Sequence, residues 1–415
     1  MSAAVNPQRT IAELKELRAL TGDENGAQRV AFTLTWAKAR AWLREKLNSI
    51  PAEVHNDAAG NTWATLRGES ERALLIGGHM DSVPNGGWLD GCLNVLAGVE
   101  ILRRISAQYS GKLPITVRLV DWADEEGARF GKSLFGSSAC SGNLDMDEAR
   151  GLVDRNGARL VDALREHGID FERVKDSGCE LANAAAYLEL HIEQGPVLLD
   201  LDLPLGAVLG TFGVERHAIH FHGQAAHSGS TPMNRRRDAF LAAAKMSPEI
   251  YRIAERSGGG VCTIGSCTTQ PGIVTSVVED CRITLDQRHL DKKALWRMLG
   301  EAGDACERFA REGNVEVTWE RLWHIAPRPF DDQLINLCDE AIAETCGRSH
   351  RLPSGPLHDA AEVARAGVPT VMMFVQSLHG ISHNKIEDTK EEHLALAVTA
   401  FDKLATKAPR WIAGN

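Results

Sequence analysis

At 415 residues the chain is too long for one ordinary hydrophobic core and suits two domains. Hydrophobic residues make up 43% and charged residues 25%, as in a globular enzyme, and a formal net charge of -10 leaves no basic field to hold nucleic acid. The N-terminal MSAAVNPQRTIAELKELRAL has no apolar signal core, and no apolar run is long enough to span a bilayer, so no membrane partner and a cytoplasmic location are expected.

In chain order, Thr10–Thr21 carries Ile11, Leu14, Leu17 and Leu20 at helical spacing, and Trp36–Leu47 repeats the pattern. Short strands are predicted at Glu53–Asn56 and Thr62–Leu66, on either side of the turn Ala59-Gly60-Asn61. Ala73–Gly77 (ALLIG) is a continuous apolar run, the pattern of a buried parallel strand. Leu93–Ile105 reads as an amphipathic helix and Ile115–Trp122 as another strand. This alternation predicts an α/β fold. The middle of the chain changes character. His217–Gly223, Gly260–Gly265, Gly272–Arg288 and Val315–Trp319 are predicted strands, with helices at Arg237–Ile253 and Lys292–Glu312. After the prolines 327 and 329 come a helix at Asp331–Cys346, a buried strand at Thr370–Val375 and a closing helix at Glu391–Leu404. The expected architecture is a mostly parallel-sheet catalytic domain, residues 1–210 and 328–415, interrupted by an inserted α+β open sandwich, 211–327.

Nine cysteines without framework spacing, Cys262 and Cys267 being the closest pair, are expected to be reduced thiols. The run Arg235-Arg236-Arg237 reads as a solvated or substrate-facing patch.

The residues able to carry chemistry are scattered. His79 follows the ALLIG strand, where α/β sheets open their crevice. Asp81, two residues on, can fix the tautomer of its imidazole. An incidental histidine in a turn is the alternative. Asp90, in the glycine-rich loop before a helix, is either an N-cap or a carboxylate with two oxygens free to bridge cations. Asp124-Glu125-Glu126 ends the next strand. Adjacent acids resist burial unless a cation is near, and successive side chains diverge, so one can hold a metal while the other faces the water. A solvated acidic turn is the bland alternative. His191 and His383 are each compatible with a structural histidine. Together, the three histidines and two acids form an N/O donor set that suits zinc or another divalent first-row metal.

The blocks GGHMDSVPNGGWLDG, DEEGARFG, ELHIEQGPVL, GQAAHSGSTPMNRRRDA, SGPLHDA and GISH, in this order, resemble the carbamoylase/hydantoinase-type amidases. That family comprises N-carbamoyl-L-amino-acid hydrolases, β-ureidopropionases and allantoate amidohydrolases, within the co-catalytic zinc aminoacylase and peptidase clan. The resemblance implies two divalent ions per subunit, zinc first and manganese, cobalt or nickel as alternatives. His79, Asp90 and His191 would hold one ion; Asp90, Glu126 and His383 would hold the other, with Asp90 bridging. Glu125 would be the general base for the attacking water and then hand its proton to the leaving nitrogen. Asp81 matches the acid that orients the first histidine. The inserted domain matches a lid and dimerisation domain, implying a homodimer. Within it, His227 matches the histidine that reaches the partner subunit's site to hydrogen-bond the oxyanion, and Arg288 the arginine that clamps the carboxylate of a small-molecule substrate. Gln194 matches a glutamine beside substrate or metal. Thr275 stands where the family carries a substrate-contacting asparagine; its hydroxyl has shorter reach and one donor in place of two. The segment SGPLHDA differs from the commoner Gly-Ala-Gly-His-Asp form, and its His358 is a further candidate for lining the pocket, with a structural role as the alternative. The implied reaction is hydrolysis of a C–N bond in an N-carbamoyl or related N-acyl amino acid. The alternatives are an aminoacylase or dipeptidase-like amidase on the same metals, and an inactive binding homologue.

Overall fold

The computed structural model describes residues 4–109 and 113–414. The chain divides into two compact units, one running to Leu209 and resuming at Phe330, the other Gly210–Pro329.

The first unit is built on a large mixed sheet. Across it run Leu205–Thr211, Thr370–Val375, Ala184–Ile192, Gly68–His79, Leu113–Trp122, Thr62–Leu66 and Glu53–Asn56, with Arg351–Ser354 also pairing Leu205–Thr211. The three central pairings are parallel and the outer ones antiparallel. The apolar run behaves as its composition demands: Leu74, Leu75 and Ile76 are fully buried. The strand around it is longer than the run, Gly68–His79, because pairing with Leu113–Trp122 continues to both ends. Parallel pairing brings the C-terminal ends of four strands to one edge, with His79 beside Trp122 and His191 beside Phe374. Helices including Pro7–Thr21, Leu34–Leu47, Cys92–Gln108, Asp332–Cys346 and Glu391–Gly414 supply the rest of that core.

The second unit is a four-stranded antiparallel sheet, Val261–Gln270, Asp280–His289, Gly213–His222 and Glu316–Ile325 in spatial order. In Asp280–His289 the odd residues are buried with the helices Met246–Ser257 and Lys292–Gly313, while Arg282, Thr284, Asp286 and Arg288 take the other face. Two expected elements differ. The helix expected over Arg237–Ile253 is two, Ala239–Ala244 and Met246–Ser257, because Pro248 cannot donate to the Ala244 carbonyl and its ring crowds that turn. The strand expected over Gly272–Arg288 begins in earnest only at Asp280; Pro271 and Gly272, the latter at φ +66°, open a turn that leaves Val274 98% exposed. Cys267 lies against Cys281, Sγ to Sγ 3.7 Å, and all nine cysteines are free thiols. No helix among the described residues is long and apolar enough to cross a membrane.

Candidate metal centre

His79, Asp90, Glu126, His191 and His383, far apart in sequence, converge in the first unit. Ligand atoms of His79, Asp90 and His191 lie within 4.8 Å of one another, and so do those of Asp90, Glu126 and His383. A third group joins His79 to Glu125 and Glu126. His191 comes from a strand and His79 from a strand end; Glu125 and Glu126 follow a third strand; His383 comes from the loop after Thr370–Val375.

Asp90 is not the helix cap. The helix Cys92–Gln108 starts from Gly91 with no side-chain cap, leaving the Asp90 carboxylate free to face the histidines. Its Oδ1 is 3.0 Å from His191 Nε2 and 3.5 Å from His79 Nε2, and its Oδ2 is 3.5 Å from His383 Nε2. His383 Nε2 is also 3.2 Å from Glu126 Oε2. Gly91, at φ +66°, is required here: a Cβ would come within 2.4 Å of the His79 carbonyl oxygen.

The tautomers follow from the partners. His79 Nδ1 faces the main-chain carbonyl of Asp81 at 3.1 Å and His191 Nδ1 that of Ile192 at 2.8 Å. A carbonyl only accepts, so each Nδ1 carries a proton, and Nε2 is the nitrogen of each ring left to face Asp90 and, in the neutral ring, to bind a metal. The buried Nε2 of His79 has no hydrogen-bond partner. Imidazole nitrogens and carboxylate oxygens converging within 4.8 Å are the donor set a divalent ion takes, so these residues fit such a metal. Asp81 thus orients His79 through its carbonyl. Its carboxylate, 3.6 Å from Nδ1, instead accepts from the N–H groups of Glu125 and Glu126 at 3.3 and 3.2 Å.

Electrostatics point the same way. Burial and the neighbouring acids Asp359, Glu126 and Asp90 push Glu125 well above the usual carboxylate range, against the pull of His79. Burial and Asp90 raise Glu126 to about 7. Burial alone would lower His79, but Glu125, Asp90 and Asp81 lift it well above an ordinary histidine. The site holds more buried acidic groups than its histidines balance, and burial drives the excess toward the protonated form. Gln194 and His383 adopt left-handed backbone, at φ +59° and +53°, a strained conformation for residues other than glycine, asparagine and aspartate.

Of the remaining candidates, Gln194 Nε2 donates to Asp90 Oδ2 at 2.9 Å and to Ser382 Oγ at 3.1 Å, so in this structure it braces the carboxylate. His358 is buried with its ring centroid 4.4 Å from that of His191. The hydroxyl of Ser354 donates to the Pro356 carbonyl and accepts from His358 Nε2, and burial beside His191 holds His358 well below an ordinary histidine, hence neutral. His227, Thr275 and Arg288 belong to the second unit. There His227 and Thr275 are adjacent: Ser228 N–H donates to the Thr275 carbonyl at 3.0 Å. Arg288 is at the far end of its strand, bonded through Nε to Asp286 Oδ1 at 2.8 Å.

Sequence reasoning missed Glu387. It accepts from the N–H groups of Leu89 and Asp90, both at 3.1 Å, and from Ser382 Oγ at 2.7 Å, clamping the loop that carries Asp90. Nothing in the local sequence IED signals this; the informative residue is Gly87, whose missing Cβ admits the carboxyl group. An added Cβ there would sit 2.0 Å from Glu387 Oε1. Gly87→Ala should therefore lose about 1–3 kcal/mol of stability through overpacking and weaken metal retention; denaturant unfolding and metal analysis after dialysis measure both. Glu189 and Asp359, buried acids below His358, were also missed, because their burial arises from long-range packing.

Residues 75–407 match peptidase family M20/M25/M40. The chain is 35% identical over 378 residues to the N-carbamoyl-L-amino acid amidohydrolase of Geobacillus stearothermophilus, covering 88% of this chain and 90% of that protein. It is 30% identical over 380 residues to the allantoate amidohydrolase of Escherichia coli, covering 90% of each. A solved hydantoinase/carbamoylase-family amidase from Burkholderia multivorans superposes with a TM-score of 0.88 at 29% identity, over 98% of this chain and 99% of that one. The chain belongs to the M20 peptidase family, in its hydantoinase/carbamoylase branch, and it is a hydrolase of C–N amide bonds.

Proposed function

We propose that the protein hydrolyses the C–N bond of a small ureido acid, an N-carbamoyl amino acid or a close analogue, with two divalent ions held by His79, Asp90, Glu126, His191 and His383. The observation that carries this reading is the pair of Nε2 atoms on His79 and His191, both facing the one carboxylate of Asp90 while each Nδ1 is tied to a main-chain carbonyl. Bound there, the ions would acidify water and polarise the scissile carbonyl. The chain's residues do the rest. Glu125, its Oε2 3.7 Å from His79 Nε2, takes the proton of the attacking water and delivers it to the departing nitrogen. Asp81 keeps the Glu125 and Glu126 backbone in place. Arg288 pairs with the substrate carboxylate, and His227 donates from Nε2 to the oxygen that gains charge. N-carbamoyl amino acids and allantoate, after which two relatives are named, both carry a ureido group and a carboxylate, so the shared chemistry is that pair. Ammonia released from N-carbamoyl-L-amino acids, abolished by chelation and restored by zinc or manganese, is the expected result. Carboxylic acid released from N-acyl amino acids, with no ammonia from ureido acids, would make the enzyme an aminoacylase instead.

The same reading requires a homodimer. His227 and Thr275 lie beyond the Asp280 end of the strand Asp280–His289, and about 25 Å of strand separates that end from Arg288 at 3.3 Å per residue. An amino-acid-sized substrate cannot touch both within one protomer, so His227 must come from a second copy. The edge strand Val261–Gln270 supports this: VCTIGSCTTQ is ten residues long and has neither charge nor proline, two of the devices that keep exposed edges apart, although its pairing shifts register between Ile264 and Ser266. A double substitution Ser266→Lys and Thr268→Lys is expected to yield monomers in sedimentation and to reduce activity by about 10²-fold or more, the range that losing one oxyanion donor costs.

A further inference from the structure

We propose that Arg236 is the positioning residue that holds His227 in the tautomer able to donate from Nε2. The proposal rests on the reading of His227 as a hydrogen-bond donor given above.

The loop after His227 folds back onto its own imidazole. The N–H groups of Gly229 and Ser230 both donate to His227 Nδ1, at 3.0 and 3.2 Å. Two donors on one nitrogen leave it no room for a proton, so the proton of the neutral ring sits on Nε2. A side chain at 229 would crowd this arrangement, since a Cβ there would lie 3.2 Å from His227 Cε1. The ring is thereby a donor outward and an acceptor only toward its own loop.

What holds the loop is a single guanidinium. Arg236 Nη2 donates to the Ser228 carbonyl at 2.6 Å and Nε to the Thr231 carbonyl at 3.1 Å, bracketing the two residues whose N–H groups reach Nδ1. Among the described residues Arg236 makes no ion pair, so its fork is spent on main-chain carbonyls. The other ties are backbone bonds: Thr231 N–H to the His227 carbonyl at 3.1 Å and Ser228 N–H to the Thr275 carbonyl at 3.0 Å. The loop residues Gly229 and Ser230 are exposed, and no core packing replaces the clamp. A lysine ammonium presents no planar fork with which to hold both carbonyls in this geometry. The basic run Arg235-Arg236-Arg237 is therefore differentiated: Arg236 faces inward onto the loop, and Arg237 Nε binds the Asn314 carbonyl at 2.8 Å.

Two measurements on the intact dimer test this. In ¹⁵N-resolved NMR of the histidine rings, wild type should show His227 Nδ1 as an unprotonated acceptor and Nε2 as protonated. Arg236→Ala and Arg236→Lys should move both signals toward the averaged values of an unrestrained imidazole. Kinetically, each variant should lower kcat on the order of tenfold with KM unchanged. The double variant Arg236→Ala with His227→Ala should be no slower than His227→Ala alone, because Arg236 acts through that ring. Unmoved His227 signals in Arg236→Ala would overturn the proposal, as would losses that multiply in the double variant. An undiminished kcat in His227→Ala would instead remove the donor role of His227, and the ring signals would still decide whether Arg236 sets the tautomer. A circular dichroism spectrum matching wild type separates either outcome from misfolding.

Discussion

Glu125→Gln retains its metal and loses turnover by on the order of 10³-fold, within the range that a positioned acid or base supplies. The amide is isosteric and keeps the residue's main-chain N–H on Asp81, so the backbone that presents Glu126 stays in place. What it cannot do is carry a proton between water and leaving nitrogen. Metal content by mass spectrometry and initial rates of ammonia release give the two halves of the result. Unimpaired kcat in the Glu125→Gln enzyme would remove the base from the mechanism. Glu125 sits 7% exposed among Glu126, Asp90 and Asp359, and burial with those neighbours holds its proton affinity well above that of a surface carboxylate.

Asp90→Asn has the second large expected effect: metal content falling to less than half that of the wild type, and activity falling to background. Asp90 faces both halves of the cluster, Oδ1 toward His79 and His191, Oδ2 toward His383. An amide supplies one neutral oxygen and turns its nitrogen toward a lone pair. The melting temperature of the metal-treated variant should no longer rise above that of the chelated protein, since stabilisation by a bound ion follows its occupancy. Two ions retained by Asp90→Asn would exclude the carboxylate as bridge.

Much of the candidate site was legible because its residues sit at the junction of pattern and punctuation. His79 ends an apolar run, Asp90 lies in a glycine-rich loop, and Glu125 and Glu126 close a strand. These are places where local sequence reports on position along a sheet. Glu387 was not legible, since its work is done on the N–H groups of Leu89 and Asp90, nearly 300 residues earlier in the chain, and no local pattern encodes such a contact. The role of the Asp81 carbonyl was hidden for a related reason: a main-chain acceptor has no residue type. The fold was readable at the level of alternating strands and helices. It failed where one proline or one Pro-Gly pair interrupts an otherwise continuous pattern, at Pro248 and at Pro271-Gly272.

The crowd of buried carboxylates around His79 has a consequence for the life of the protein in a cell. Asp81, Asp90, Asp124, Glu125 and Asp359 are all at most 7% exposed, and Glu126 and Glu387 stand beside them. A newly made chain that has not met its ions must hold these buried acids protonated or mutually repelling, lacks the stabilisation bound ions give, and spends more time open. Proteases act on the open fraction. Abundance of this enzyme should then track metal supply even at constant synthesis, making the cluster a gauge of nutrient status as well as a place for chemistry.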